Sequence, residues 1–488
     1  MSNDSVFLTS DHVRSLPLFY ATIGKQAFVS DDANWIRQQV RDDALDEDSV
    51  TEFLLAGLVS GHDTLSPSVK QLQAGEAVEL VLTSDGIRRS SARFFAYDYN
   101  ELAVSPAEDL RVGADHCLNA AITRLLRLTD GRTVVVPLSG GLDSRLIVLL
   151  LKKIGYDAVV TFTYGRPGNR ESSVSHKVAT RLGVPWHFIP YTNQAWYHWY
   201  HSNEWSTYSR FANGLSSIPH IQDWPAVWEL KRRKLIPDDS VFVPGITASP
   251  DNFGYTMPTE WLTMTTISAK DLTKKICESY CVLQDWSRET PAVQSVLATK
   301  IDSVLHPPAN LTFAEAVGYF DRWWWESRSA KFLINSVRVY EYWRHVWWIP
   351  FLDMEFVRFW LPNRFMLPSH FRFEKAFQRE YVQRLETELT GKSPIPDCSG
   401  HATAMMLANI LENLHLRKFV KRVRAHLEYY NHPYSWYGLM QREEYARSFH
   451  GVENINTYLA RETIRDIFPH WRRRQNSVPH RTHSPRVT

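Results

Sequence analysis

The sequence predicts an α/β protein in three parts: a small β-rich unit, a doubly wound parallel sheet with helices on both faces, and a largely helical C-terminal part. Three observations predict it. Between about residues 109 and 190, amphipathic helical stretches alternate with short apolar runs rich in β-branched residues, as βαβ units do. Upstream, residues 16–99 alternate short apolar runs with turn residues, an antiparallel layout. Downstream, from about 265 to 470, apolar residues recur at helical spacing over long stripes such as FDRWWWESRSAKFLINSVRVYEYW.

Taken in order, LPLFYA, QAFVSDD, AGEAVELVLTSDG and FFAYDY read as strands, with a helix over DSVTEFLLAGLVSG between them. From Asp109 the pattern changes to a long amphipathic helix, DLRVGADHCLNAAITRLLRL, then the apolar run TVVVPL, a Gly-rich turn and the helix DSRLIVLLLKKIG. The strand DAVVTFTYG, a helix ending at RLG and the strand WHFIPY follow. These spans set the expected domains at 1–105, 106–470 and a basic tail at 471–488, where HWRRRQ meets Ser, Pro, Thr and His with no apolar period. A length of 488 residues fits more than one core.

Composition narrows the partners. Lys and Arg total 55 against 53 Asp and Glu, so nothing advertises a nucleic-acid or membrane-surface protein, and a small-molecule or protein partner is expected. The four cysteines, Cys117, Cys277, Cys281 and Cys398, are too scattered for a disulfide framework or the usual zinc spacing. The opening MSNDSVFLTSDHV lacks a basic region followed by an apolar run, and charges interrupt every long apolar stretch, so a cytoplasmic protein with no membrane span is expected. The 18 Trp, concentrated between 186 and 360, read as a large aromatic core before they read as a substrate cage. Oligomeric state is not legible.

Residues 134–144, VVVPLSGGLDS, carry the chemistry. A β-branched run delivers the chain to Ser139, Gly140, Gly141, Leu142, Asp143 and Ser144, and a helix begins at once. Glycines let backbone N–H groups converge on an anion, and the helix N-terminus adds unpaired donors and a favourable dipole. Ser139 and Ser144 add hydroxyl donors. Asp143, an anion in the same turn, suits the magnesium that bridges phosphates rather than the phosphates themselves. The loop is neither a Walker loop, which ends in Gly-Lys-Ser/Thr, nor a dinucleotide G-x-G-x-x-G.

With this loop the chain resembles the PP-loop ATP pyrophosphatases, and among them the asparagine synthetase family, whose loop wraps the pyrophosphate leaving group while attack falls on the α-phosphate. The resemblance implies ATP and Mg2+ as cofactors. It also implies that Thr161, Thr163 and Gly165, in TFTYGRPGNRESSVSHKVATRLGVPWHFI, line adenine and ribose. VFVPGITASPDNFGY is similar to the family's second phosphate-side loop, which carries a phosphate-side role onto Gly245 and a metal role onto Asp251. Asn252 stands where the synthetases usually have an acid. VWWIPFLDMEFVRFWLP is similar to the family's R-x-P-F-L-D segment through Pro350 and Asp353, with Trp348 and Val346 replacing the family's Arg and Glu. Lys392, in LTGKSPIP, falls near the family's oxyanion-stabilising Lys. Glu326, Arg328, Lys331, Asn335, Arg338 and Glu341 recur at helical spacing; such a stripe is either a solvated or inter-helix salt-bridged face or, as a catalytic expectation for Glu341, the lining of an acceptor pocket.

Glutamine-dependent relatives begin with a catalytic Cys, whereas Ser2 stands here. Residues 11–99 resemble only the later half of the family's glutaminase domain, so a truncated, inactive β-rich remnant is expected, with nitrogen coming from free ammonia, a separate glutaminase or a substrate amine. The implied activity is an amide-forming ligase that makes an acyl-adenylate of a small-molecule or peptide carboxylate. Surface-polysaccharide or natural-product biosynthesis, including lactam-forming cyclisation, are settings in which such relatives act. PP-loop thiolation, which calls for reactive cysteines near the loop and a basic face, and a catalytically dead scaffold stay open as alternatives.

Overall fold

The computed structural model describes residues 4–97, 107–246, 261, 263–283, 291–363, 376–398, 428–448 and 454–471. Asp251, Asn252 and the tail beyond Trp471 lie outside the described residues.

Six strands build the N-terminal unit: β1 (Ser5–Thr9), β2 (Phe19–Ile23), β3 (Gln26–Ser30), β4 (Lys70–Gln71), β5 (Glu76–Thr83) and β6 (Gly86–Arg93). They form two three-stranded antiparallel sheets, β1-β5-β6 and β3-β2-β4. The period-2 alternation in β5 turns Val78 and Leu80 inward onto Leu8, Tyr20 and Leu72, which make a dry layer between the sheets. Helices α1 (Ala33–Gln39) and α2 (Glu47–Ala56) follow Asp32 and Asp46, whose carboxylates accept the first-turn N–H groups. The sequence shows α2 plainly; α1 is short, and its DDANWIRQQV string carries only a cap signal.

The central sheet is parallel throughout. It is assembled after the long helix α3 (Ala107–Thr129) from β7 (Val134–Pro137), β8 (Val159–Gly165), β9 (Trp186–Pro190), β10 (Val241–Phe242) and β13 (Val346–Trp347), in the order β13-β10-β7-β8-β9. The connections are α4 (Asp143–Lys153), α5 (Arg170–Leu182), and α6 (Asn193–Tyr200), α7 (Asn203–Asn213) and α8 (Trp224–Arg232). Val134, Val136 and Leu138 face the core under α3, α4 and α5, while Val135 faces the aromatic core with Phe162, Phe242 and Trp224. Helices on both faces explain why these strands read as continuous apolar runs. Strand order reverses between β7 and β10, so the turn after β7 opens at the crevice where such sheets take ligands.

The C-terminal part begins with β11 (Ile267–Ser268), α9 (Ala269–Tyr280), α10 (Pro291–Leu305), β12 (Asn310–Leu311) and α11 (Phe313–Trp323). The rod then continues as a π-helical stretch (Trp324–Leu333), a 3-10 turn and α12 (Arg338–Tyr342). Beyond β13 lie α13 (Met354–Asn363), α14 (Ala376–Thr390), α15 (Arg442–Ser448) and α16 (Ile455–Ile467). α16 returns to the N-terminal unit, where Ile464 and Trp471 join Phe53 and Ile36 in one core.

The polar stripe of the rod becomes a seam between parts of the fold. Glu326 pairs with Arg322 and Arg93, Lys331 Nζ donates to the carbonyls of Val59 (3.1 Å) and Gly61 (2.5 Å), and Asn335 Nδ2 donates to Ala212 O (2.9 Å). Arg338 donates to Ser15 O (2.8 Å), and Arg328 lies 3.8 Å over the Phe332 ring. Because the winding passes from α through π to 3-10, residues that would share one α-helical face diverge toward different neighbours. Burial pushes the Lys331 ammonium well below the ordinary lysine range.

Candidate active site

Ser139 to Ser144 turn at the C-terminal end of β7, in the reversal crevice. The turn is held from within: Ser139 N–H donates to Ser144 Oγ (3.0 Å), the two hydroxyls lie 3.2 Å apart, and Gly141 N–H donates to Ser139 Oγ (3.2 Å). Asn169, Thr192 and Ser202 cap the starts of α5, α6 and α7 with side-chain acceptors, but Leu142 at the start of α4 has none to offer. An anion is the natural partner for an N-terminus left in that state.

Distant segments close on the loop. Gly245, just past β10, sits so near α4 that a Cβ there would lie 2.5 Å from Ser144 N and 2.9 Å from Asp143 C, so glycine is required by close approach. Gln378, in the first turn of α14, donates from Nε2 to Asp143 Oδ1 (2.6 Å), and its own Oε1 is buried without a partner. Cys398 N–H donates to Gly140 O (3.1 Å), and the Cys398 thiol rests against the Gly140 Cα. Burial, with the Glu171 carboxylate second, pushes that thiol above its usual range. Beneath the turn, the buried Arg145 guanidinium donates to Ile395 O (2.5 Å) and approaches Glu386 (3.5 Å), which fastens α14 and the irregular segment after it to α4.

The expected residues separate into two groups. Ser139, Gly140, Gly141, Leu142, Asp143, Ser144 and Gly245 meet at one place. Gly165 ends β8 on the same side of the sheet, while Thr161 and Thr163 are buried and their hydroxyls already serve the chain: Thr161 donates to Pro185 O (2.8 Å), and Thr163 to Leu138 O (2.6 Å). These hydroxyls therefore tie β8 to the segments that carry β7 and β9.

Lys392 and Glu341 are not brought to the loop. α14 carries the chain about 18 Å from Gln378 to Thr390 at 1.5 Å per residue, leaving Lys392 exposed beside Ser393, which Arg181 at the far end of α5 holds. Glu341 is engaged by Arg338 and by Trp347 Nε1 (2.7 Å), and burial raises its carboxyl against the pull of Arg338. Val346 pairs in register with Val241, and Trp348 N–H donates to Phe242 O, so the residues replacing the family's Glu and Arg build the sheet edge. Asp353 receives two bonds from Arg124 (both 2.6 Å) and accepts from Glu355 N–H at the start of α13. A groove of about 690 Å³ beside Arg124, Asp353 and Glu355 lies on the α3–α13 face, and none of its lining residues belongs to the loop.

Sequence reasoning missed Gln378 and Cys398, because no local string marks a residue as a neighbour of something more than 200 positions away. Among the described residues no group of three or more His, Cys, Asp or Glu gathers as for a metal ion, and no helix is long and apolar enough to cross a membrane.

Residues 115–207 match the family model described as asparagine synthase. A 72-residue stretch is 36% identical to the tRNA-specific 2-thiouridylase MnmA of Lactiplantibacillus plantarum and, equally, of Limosilactobacillus fermentum, covering 13% of this chain and 19% of each relative. Two solved structures are also similar. The NH3-dependent NAD synthetase of Campylobacter jejuni, in complex with nitrate, has 12% identity, 40% of this chain and 93% of that one covered, and a TM-score of 0.22. The NAD+ synthetase of Burkholderia pseudomallei has 15% identity, 45% and 90% covered, and a TM-score of 0.22. The segment 115–207, which builds β7, the loop and the strands beside it, is thus the part of the chain that is similar to asparagine synthase.

Proposed function

We propose that the protein activates a carboxylate as an acyl-adenylate and passes the acyl group to ammonia or a substrate amine. The observation that carries this reading is the SGGLDS turn at the strand-order reversal, with paired hydroxyls and an uncapped helix start. A carboxylate oxygen attacks the α-phosphorus of ATP, the bridging P–O bond to the β-phosphate breaks, and pyrophosphate leaves. The amine nitrogen then attacks the acyl carbon, AMP departs with the bridging oxygen, and the amine proton goes to solvent.

In this reading Ser139, Ser144 and the N–H groups of the turn hold the leaving pyrophosphate, and positioning supplies much of the rate. The Asp143 carboxylate, which accepts from Gln378 Nε2, and the hydroxyls of Ser139 and Ser144 offer oxygen ligands of the kind that suits a hard dication such as Mg2+. When bound, Mg2+ offsets the charge developing on the phosphates. Asp143 would hold it from the loop, and Asp251, outside the described residues, is proposed as the second carboxylate. Gly165 borders the adenosine side. Lys392 and Glu341 stand away from the turn, and no step is assigned to them. The N-terminal sandwich is proposed as the later half of a glutaminase-like domain that buttresses the synthetase part without hydrolysing glutamine.

One observation favours a second reading, thiolation: the Cys398 thiol lies on the loop. Its raised pKa keeps it protonated, which counts against a nucleophilic role. The test of both is Mg2+-dependent ATP–pyrophosphate exchange with cell-extract metabolites as acceptors. Acyl-adenylation requires exchange that depends on the metabolite pool, disappears in Asp143→Asn and survives in Cys398→Ser; pool-independent exchange, or none, refutes it.

A further inference from the structure

Beside the loop, over the C-terminal ends of β8 and β9, lies a segment from the far end of the chain, residues 428–440. Arg166 N–H donates to Pro433 O (2.6 Å) and its guanidinium to His432 O (3.3 Å). Asn193 Nδ2 donates to Tyr429 O (2.8 Å), and Trp196 Nε1 to Tyr434 O (2.7 Å). At Gly165, with φ at +128°, a Cβ would come 2.8 Å from Pro433 O, so the end of β8 accepts this segment only because it is glycine. The segment docks through its main-chain carbonyls, which accept from one main-chain N–H and from three side chains.

Within the segment, the Tyr434 ring bridges the end of β8 and the loop. Its edge lies 3.5 Å from the Cβ position of Gly165, and its hydroxyl donates to Glu171 Oε2 (3.0 Å). The Cα of Glu171 is in turn 3.2 Å from the Cβ position of Gly140. Tyr434 stacks on Trp436 (centroids 5.0 Å, planes 23° apart), and His432 lies 4.9 Å from Trp436. All three rings are only half-buried. Burial, then the nearby Arg166 cation, brings His432 down to about 4, so the three rings of His432, Tyr434 and Trp436 carry no charge at neutral pH. An uncharged aromatic ledge next to an anion-binding turn matches a molecule with phosphates at one end and a flat π-system at the other.

We propose that residues 428–440 form the base-side wall of the nucleotide site, with the Tyr434–Trp436 pair as the stacking surface for the planar heteroaromatic base. This rests on the reading that the Ser139–Ser144 turn holds the phosphates of ATP. The test is calorimetric titration of the full chain, in Mg2+, with ATP and with tripolyphosphate, which has the phosphates and no base. Tyr434→Ala weakens ATP binding roughly 5- to 100-fold and leaves tripolyphosphate unchanged, and Tyr434→Phe, which keeps the ring, stays within about twofold for both. Equal loss for both ligands, or loss for neither, overturns the assignment. In the unsubstituted chain, ATP quenches tryptophan fluorescence more than tripolyphosphate does, and Trp436→Phe removes the difference; an unaltered difference also overturns it. A chain that binds neither ligand overturns instead the ATP reading on which the wall depends.

Discussion

Two alanine substitutions at the loop, Gly141→Ala and Gly245→Ala, are expected to damage it in different ways. At Gly245 a Cβ would lie 2.5 Å from Ser144 N and 2.8 Å from its Cα, both backbone atoms that no rotamer change can move. Reaching the 3.4 Å of ordinary contact displaces the start of α4 by about 0.9 Å. Overpacking of that kind costs about 1–3 kcal/mol of stability. A displacement near 1 Å in a positioning group costs on the order of a hundredfold in rate. At Gly141 the nearest atom to a Cβ is Ser139 Oγ at 3.4 Å, and the backbone is not left-handed, so the fold itself accepts alanine. The methyl points into the open side of the turn, where the proposed function puts pyrophosphate. Urea denaturation, pyrophosphate titration and ATP–pyrophosphate exchange separate the two. Gly245→Ala should lose stability, binding and exchange together, and Gly141→Ala should keep its denaturation midpoint while binding and exchange fall at least tenfold. A Gly141→Ala protein that binds pyrophosphate as tightly as the parent refutes the anion-cradle reasoning, and full exchange in Gly245→Ala refutes the steric reasoning.

Gln378→Leu removes the donor to Asp143 Oδ1, and the Mg2+ concentration for half-maximal nucleotide binding should rise about tenfold; an unchanged Mg2+ titration would mean that the bond orients nothing. Arg124→Ala leaves the nearly buried Asp353 carboxylate without its two bonds, and urea denaturation should register a loss of about 2–4 kcal/mol with little effect on pyrophosphate affinity. His432 is neutral in the fold, down to about 4 from an unfolded 6.5, so the unfolded chain binds the extra proton between those values. Docking of residues 428–440 should therefore hold fully above pH 6.5 and weaken as pH falls toward 4, by about 1–2 kcal/mol once partial exposure is discounted. Amide exchange at Tyr434 and Trp436 across that range, with His432→Gln as the variant that loses the dependence, checks it.

The elements from α3 to β9 were legible because each has one dominant burial pattern. Leu146, Ile147, Leu149 and Leu150 recur at helical spacing, Val134 to Val136 form a continuous buried run, and Gly183 ends α5 in the left-handed conformation that a helix stop takes. The loop was legible for the same local reason, since strand, turn and helix start are consecutive in the chain. The rod from Phe313 to Tyr342 was legible as helix but not in its face, because periodicity assumes one winding and this stretch uses three. The family resemblance implied Thr161 and Thr163 at the nucleotide, and in the structure their hydroxyls donate to the carbonyls of Pro185 and Leu138, partners that no local pattern announces.

The α/β class, the β-rich entry and the position and residues of the Ser139–Ser144 turn could be read from the chain alone. All of these depend on contacts within a few residues, which hydrophobic period and turn chemistry encode directly. What surrounds the turn was decided only in three dimensions. Gln378 meets Asp143 across 235 positions, Tyr434 meets Glu171 across 263, and Gly245 presses on α4 from a different strand. Lys392, close in sequence to Cys398, is carried away from the turn by the length of α14. Such neighbours follow from how helices pack on the two faces of the sheet and how far each connection reaches, and no period in a single chain records which distant residue will fill a given gap.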